Sequence, residues 1–102
     1  MNVEALKGLI GGPRDSALLR VTLANALLAE ENPTEAEQQL VEATRKDPAY
    51  TAAWKQLGKV RLSLEDKNGA RQAWKSGMEV AIENGDKQAE KEMQVFLKRL
   101  DR

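Results

Sequence analysis

The chain has 102 residues, with 16 acidic and 16 basic side chains and neither His nor Cys. That length makes one domain with a modest core, and the zero net charge lacks the basic excess from which nucleic-acid binding draws most of its affinity. Without His or Cys the usual general base, the commonest metal ligands and any disulfide are missing, so no metal, cofactor or enzymatic role is expected.

Few aromatics and many Ala, Leu, Glu, Lys, Arg and Gln favour helices over a β-sandwich or barrel. Residues 2–10 predict a short helix with Val3, Leu6 and Ile10 on one side. Met1 to Gly12 holds no continuous apolar run, so neither a secretory signal nor a membrane span is expected, and a cytoplasmic location is the default. Gly11-Gly12-Pro13 breaks this helix, and Asp15 or Ser16 caps a second one running to about Glu30. Asn32-Pro33 reads as a turn, with Thr34-Glu35-Ala36-Glu37 as a capping box opening a third helix that ends near Lys46. Asp47-Pro48 supplies its stop and the start of a fourth helix, from about Ala49 to Leu64. Asp66 caps a fifth, which reaches Glu83, and Asn84-Gly85-Asp86 combines a left-handed stop with the cap of a last helix. In that helix Ala89, Met93, Phe96, Leu97 and Leu100 form one buried stripe.

Two stretches repeat one sparse pattern 34 residues apart. Leu23-Ala24 aligns with Leu57-Gly58, Ala36 with Ala70, Leu40 with Trp74, and Ala43 with Gly77. A W-x2-L-G motif appears as Trp54-Lys55-Gln56-Leu57-Gly58, an A-x3-aromatic motif as Ala70-Arg71-Gln72-Ala73-Trp74, and a closing proline as Pro48. In these residues the chain resembles the tetratricopeptide repeat family. The resemblance implies an all-α domain of antiparallel helix-turn-helix repeats, a short α-solenoid of five to six helices over residues 1–102. It divides into an N-terminal helix and Gly-Gly-Pro hinge (1–13), two repeats (17–50 and 51–84) and a capping helix (85–102). Arg20 stands where the family has Trp, Ala24 replaces Gly, Arg61 replaces an aromatic, and Ile82 sits where a second closing Pro belongs. Packing physics agrees with the motif: Gly58 and Ala70 have to be small for two helices to approach, and Trp54 and Trp74 supply apolar area beside them.

The resemblance further implies a non-enzymatic interaction module whose first helices line a concave groove. On the fourth helix that face carries Ala52, Lys55, Lys59 and Ser63; on the second it carries Leu18, Val21, Asn25 and Leu28. Lys55 and Lys59 are i, i+4 neighbours, and Asn25, one period before Lys59, is expected beside it across the groove. The three partly resemble the carboxylate clamp with which some family members grip acidic C-termini of heat-shock chaperones, although the clamp's contribution from a third repeat is missing. The alternative is two solvated lysines on an exposed face. The second helix is apolar nearly all round, so Leu18, Val21 and Leu28 need cover from residues 2–10, from a second protomer in a homodimer, or from a client peptide. The expected partner is therefore a protein or peptide, with neither nucleic acid nor membrane involved. No carboxylate pair, Gly-rich loop or activated nucleophile has the context of a catalytic motif, and Tyr50 is read as a packing residue.

Overall fold

The computed structural model describes residues 2–102, so what concerns Met1 in the N-terminal expectations lies outside it. Six helices follow one another: α1 (Val3–Lys7), α2 (Ala17–Ala29), α3 (Pro33–Lys46), α4 (Thr51–Ser63), α5 (Lys67–Asn84) and α6 (Lys87–Leu100). The described residues contain no strand.

Local chemistry accounts for most of the boundaries. Ser16, Asp66 and Asp86 each accept a hydrogen bond from the backbone N–H three residues on, at Leu19, Gly69 and Ala89. Gly85 ends α5 in the left-handed region with φ 71°, which glycine alone adopts without cost. Three boundaries differ from the sequence-based reading. Asn32, not Thr34, caps α3: its side chain accepts from Glu35 N, and Pro33 takes the first helical position, where its missing N–H has no partner to lose. α4 starts at Thr51, because Asp47 Oδ1 accepts from Ala49 N at 3.1 Å and Tyr50 N donates to Asp47 O at 3.1 Å, holding Pro48-Ala49 in a turn. α1 stops at Lys7, beyond which Leu9 and Ile10 donate to the carbonyls of Leu6 and Lys7 in tighter i+3 turns.

The turns inside the two repeats match. Asn32 N donates to Leu27 O (2.9 Å) and Asp66 N to Arg61 O (2.8 Å), with Glu31 and Glu65 at φ 59° and 63° just before them.

α2 packs on α3, α4 on both α3 and α5, α1 on α2, and α6 on α5 with a lighter contact to α4. The extents of 39 × 29 × 18 Å fit two layers of helices. One apolar cluster runs from Val3 and Leu6 through Leu23, Leu27 and Leu40 to Leu57 and Val60; a second joins Ala70, Trp74 and Ala81 to Ala89 and Met93. Glycine makes the tight crossings of the second repeat possible. A Cβ on Gly58 would lie 2.1 Å from Trp74 Nε1, and one on Gly77 would lie 2.5 Å from Met93 Sδ. Trp74 is consequently buried, and its Nε1 donates to Lys55 O at 3.1 Å. Trp54 is only half-buried, donating Nε1 to Pro48 O at 2.8 Å while its Cβ crowds Gly77.

Candidate protein-interaction surface

The first helices α2, α4 and α6 are linked side by side through polar contacts. Gln56 Nε2 on α4 donates to Asn25 Oδ1 on α2 at 3.1 Å. Lys55 Nζ meets Glu92 Oε2 on α6 at 3.1 Å, and Lys59 Nζ lies 5.2 Å from the centroid of the Phe96 ring.

Each of the residues that the repeat pattern groups together is engaged by a neighbouring side chain. Asn25 faces Gln56, and the two lysines turn toward α6 instead of offering two free ammonium groups to one ligand. Their partners are of modest strength: the half-exposed Lys55–Glu92 pair contributes at most ~1 kcal/mol, and the Lys59–Phe96 contact ~0.5–1 kcal/mol. Glu92, Phe96 and Gln56 were not identified from sequence. Extrapolating the repeat from Lys55 and Lys59 lands on Ala89 and Met93, both of which are buried. The N-caps fall at Ser16, Tyr50 and Asp86, so the last interval is two residues longer than the first, and a different set of α6 side chains faces α4.

The expected apolar wall is also divided. Leu18 is 62 % exposed, whereas Val21 is buried and Leu28 is half-buried against the core. Val21 therefore packs inward and offers no surface to a ligand. The N-terminal segment folds back as cover: Val3 and Leu6 enter the same cluster as Val21, Leu23 and Leu27, with Leu9 and Ile10 packed against it. Leu18 remains at the edge of a depression of about 630 Å³ that it shares with Asp15, Lys46, Asp47 and Tyr50.

Asp15, at the back of that depression, fixes the α1–α2 turn. Its carboxylate accepts from Gly11 N (3.0 Å) and from Arg20 Nε and Nη2 (both 2.9 Å), with Lys46 Nζ at 3.6 Å. Arg20 Nη1 extends the network to Gln39 Oε1 on α3 at 3.0 Å. The Arg20 hydrogen bonds, joined by the Gly11 N–H, hold the Asp15 carboxyl well below the usual carboxylate range, and Asp15 in turn raises Arg20. The guanidinium at the family's Trp position thus joins α2 to its neighbours by directed bonds in place of ring area.

No group of three His, Cys, Asp or Glu is placed to hold a metal among the described residues, and no helix there is long and apolar enough to cross a membrane.

Comparison with known proteins agrees with the repeat geometry. The family model for the tetratricopeptide repeat matches residues 17–60. A TPR repeat-containing protein of Pseudomonas aeruginosa is 45% identical over 102 residues, covering 100% of this chain and 97% of that one. The chain belongs to the tetratricopeptide repeat family. Among solved structures, protein BPP2914 from Bordetella parapertussis superposes with a TM-score of 0.82 at 43% identity, covering 98% of this chain and 87% of that one. A tetratricopeptide repeat domain protein from Salinibacter ruber gives 0.80 at 28% identity, covering 86% and 88%. A tetratricopeptide fold suggests protein partners, and members of the family are typically interaction modules without catalytic activity.

Proposed function

We propose that this tetratricopeptide protein is a cytoplasmic adaptor that holds a peptide segment of a partner against its first helices α2 and α4. Leu18 carries the reading. It is a large apolar side chain left 62 % exposed beside a depression of about 630 Å³, on a helix whose other leucines and Val21 are buried or half-buried. An apolar residue so placed is suited to anchor a partner side chain. Leu28 and the exposed Asn25 continue the surface along α2, and Lys59 extends it on α4 with a charge suited to an acidic C-terminus. Lys55 takes part only if a ligand carboxylate displaces Glu92, and Val21 supports the surface from behind.

The same Leu18 supports a second reading, a homodimer that buries α2 between protomers with no open groove. It is the weaker of the two, because α1 already covers much of the apolar surface that such an interface would use. Light scattering across a concentration series separates them, since a strict monomer removes the dimer.

The test of the groove compares captures from a native lysate by wild type and by Leu18→Glu/Lys59→Glu, both checked for fold by circular dichroism. The expected result is a partner held by wild type and lost by the variant, followed by NMR shifts along α2 and α4 when its binding segment is titrated. Identical captures by the two proteins would move the binding surface elsewhere.

A further inference from the structure

We propose that the seat of α1 on the repeats is a docking site for an amphipathic helix of a partner protein, and that α1 is its built-in competitor. Helix lengths are mismatched at this seat. α4 packs on two long neighbours, α3 with 14 residues and α5 with 18. α2, with 13 residues, packs on α3 and on α1, which has only 5. At 1.5 Å per residue α1 spans about 8 Å, against about 20 Å for α2. Beyond Lys7 the cover continues through Leu9 and Ile10 as i+3 turns, not as helix. A helix of about three turns laid along α2 would therefore bury more apolar surface than α1 does.

The present occupant shows what the seat selects. Asn2 caps α1 by accepting from Ala5 N at 2.7 Å, Val3 and Leu6 are buried, and Glu4 and Ala5 are exposed. Lys7 then meets Glu35 in the first turn of α3, Nζ to Oε2 at 2.8 Å. The Glu35 hydrogen bond, aided by Glu4 and Glu30, raises Lys7 above its ordinary value. Two apolar anchors one turn apart, followed by a basic residue against an acidic rim, are thus the chemistry of the occupant. The hold on α1 is light. So short a helix is not stable alone, and its ion pair is partly exposed and screened by salt. The linker from Gly8 to Asp15 contains three glycines and a proline, and is fastened to Asp15 Oδ2 by Gly11 N at 3.0 Å. A terminal segment held in this way opens before the rest of the domain, and a longer helix of the same pattern takes the seat when it does.

The seat is separate from the groove at Leu18, and it can be read without a natural partner. The probe is a fluorescent peptide of residues 2–12, titrated by anisotropy into the full chain. Leu6→Glu unseats α1, and this variant, folded by circular dichroism, is expected to bind the peptide saturably. Wild type is expected to bind it at least about tenfold more weakly, because its own α1 competes at the high effective concentration of a tethered segment. A peptide carrying Leu6→Glu should not bind, and one carrying Lys7→Glu should bind about threefold more weakly at low salt. A longer peptide, repeating the Val-x-x-Leu-Lys pattern over about three turns, is expected to bind wild type directly and to shift the methyl NMR signals of Val3 and Leu6 as α1 leaves. Leu18→Glu added to the unseated variant should leave peptide affinity unchanged, so failure of the groove and failure of the seat are told apart. Leu6→Ala carries the same test if Leu6→Glu does not fold. Equal binding by wild type and variant, no saturable binding, a longer peptide that leaves α1 in place, loss of binding on Leu18→Glu, or failure of both variants to fold overturns the proposal.

Discussion

The two repeats reach the same helix crossing with different side chains. In the first, Ala24 and Leu40 occupy the positions that Gly58 and Trp74 hold in the second, and all four are buried. A Cβ at Gly58 would lie 2.1 Å from Trp74 Nε1, so the indole sits there only against a glycine, whereas the first repeat combines the smaller Leu40 with Ala24. The first helices diverge further. Arg20 is tied by hydrogen bonds to Asp15 and Gln39, whereas Trp54 contributes ring area and one bond to Pro48 O. A repeat of this kind prescribes a contact, and either apolar area or a satisfied ion pair can make it.

The largest effects are expected where the exchange of volume is broken. Gly58→Leu should unfold the domain or cost more than about 3 kcal/mol, since even a Cβ there clashes with the Trp74 ring; an unchanged melting temperature would show that the two do not interlock. Trp74→Ala should cost about 3–5 kcal/mol in urea denaturation, and Trp54→Ala less because that ring is half-exposed.

Copying the first repeat into the second sharpens the comparison. Gly58→Ala and Trp74→Leu should each destabilise alone, but the double variant should recover about 1–3 kcal/mol of the summed loss. Strict additivity in that cycle would mean the two repeats do not share a packing rule.

The Arg20 solution is tested with acid. The Asp15 carboxyl is held below its unfolded value, so its contribution is fully present above about pH 4 and is lost as pH falls through the lower folded value. Asp15→Asn should therefore be less stable than wild type at neutral pH, with the difference shrinking below about pH 4. A difference that grows in acid would contradict the assigned role. Replacing Arg45 in its exposed pair with Glu42 should change little by the same measurement. A small effect of opposite sign tests the matched turns: Glu31→Gly and Glu65→Gly should each stabilise by about 0.5–1 kcal/mol, relieving positive φ at some cost in chain entropy.

The parts of the fold legible in sequence were those written locally. Ser16, Asp66, Gly85 and Asp86 act within a few residues of themselves, and the spacing of Gly58 from Trp74 is fixed by the repeat. Thr34 misled because Asn32, two residues earlier, has the same capping chemistry and a proline that fits the first helical position. The interaction surface was less legible. Which side chains meet Lys55 and Lys59 depends on how far α6 is displaced along α4, and that depends on the longer interval before Asp86. The cover of α2 was readable as three alternatives only, because burial of Val3 and Leu6 depends on where the Gly11-Gly12-Pro13 turn sends the chain, a turn that Asp15 fastens through Gly11 N.

α6 also sets how the last pair of helices meets water. It turns Lys91, Gln94 and Lys98 outward beside Val95, which is 43 % exposed, while Met93 is buried against Gly77. Lys91 and Lys98 stand four and three residues from Val95, one helical turn away on either side. A large apolar residue at either position would widen Val95 into a patch, and self-association of the protein is the expected result.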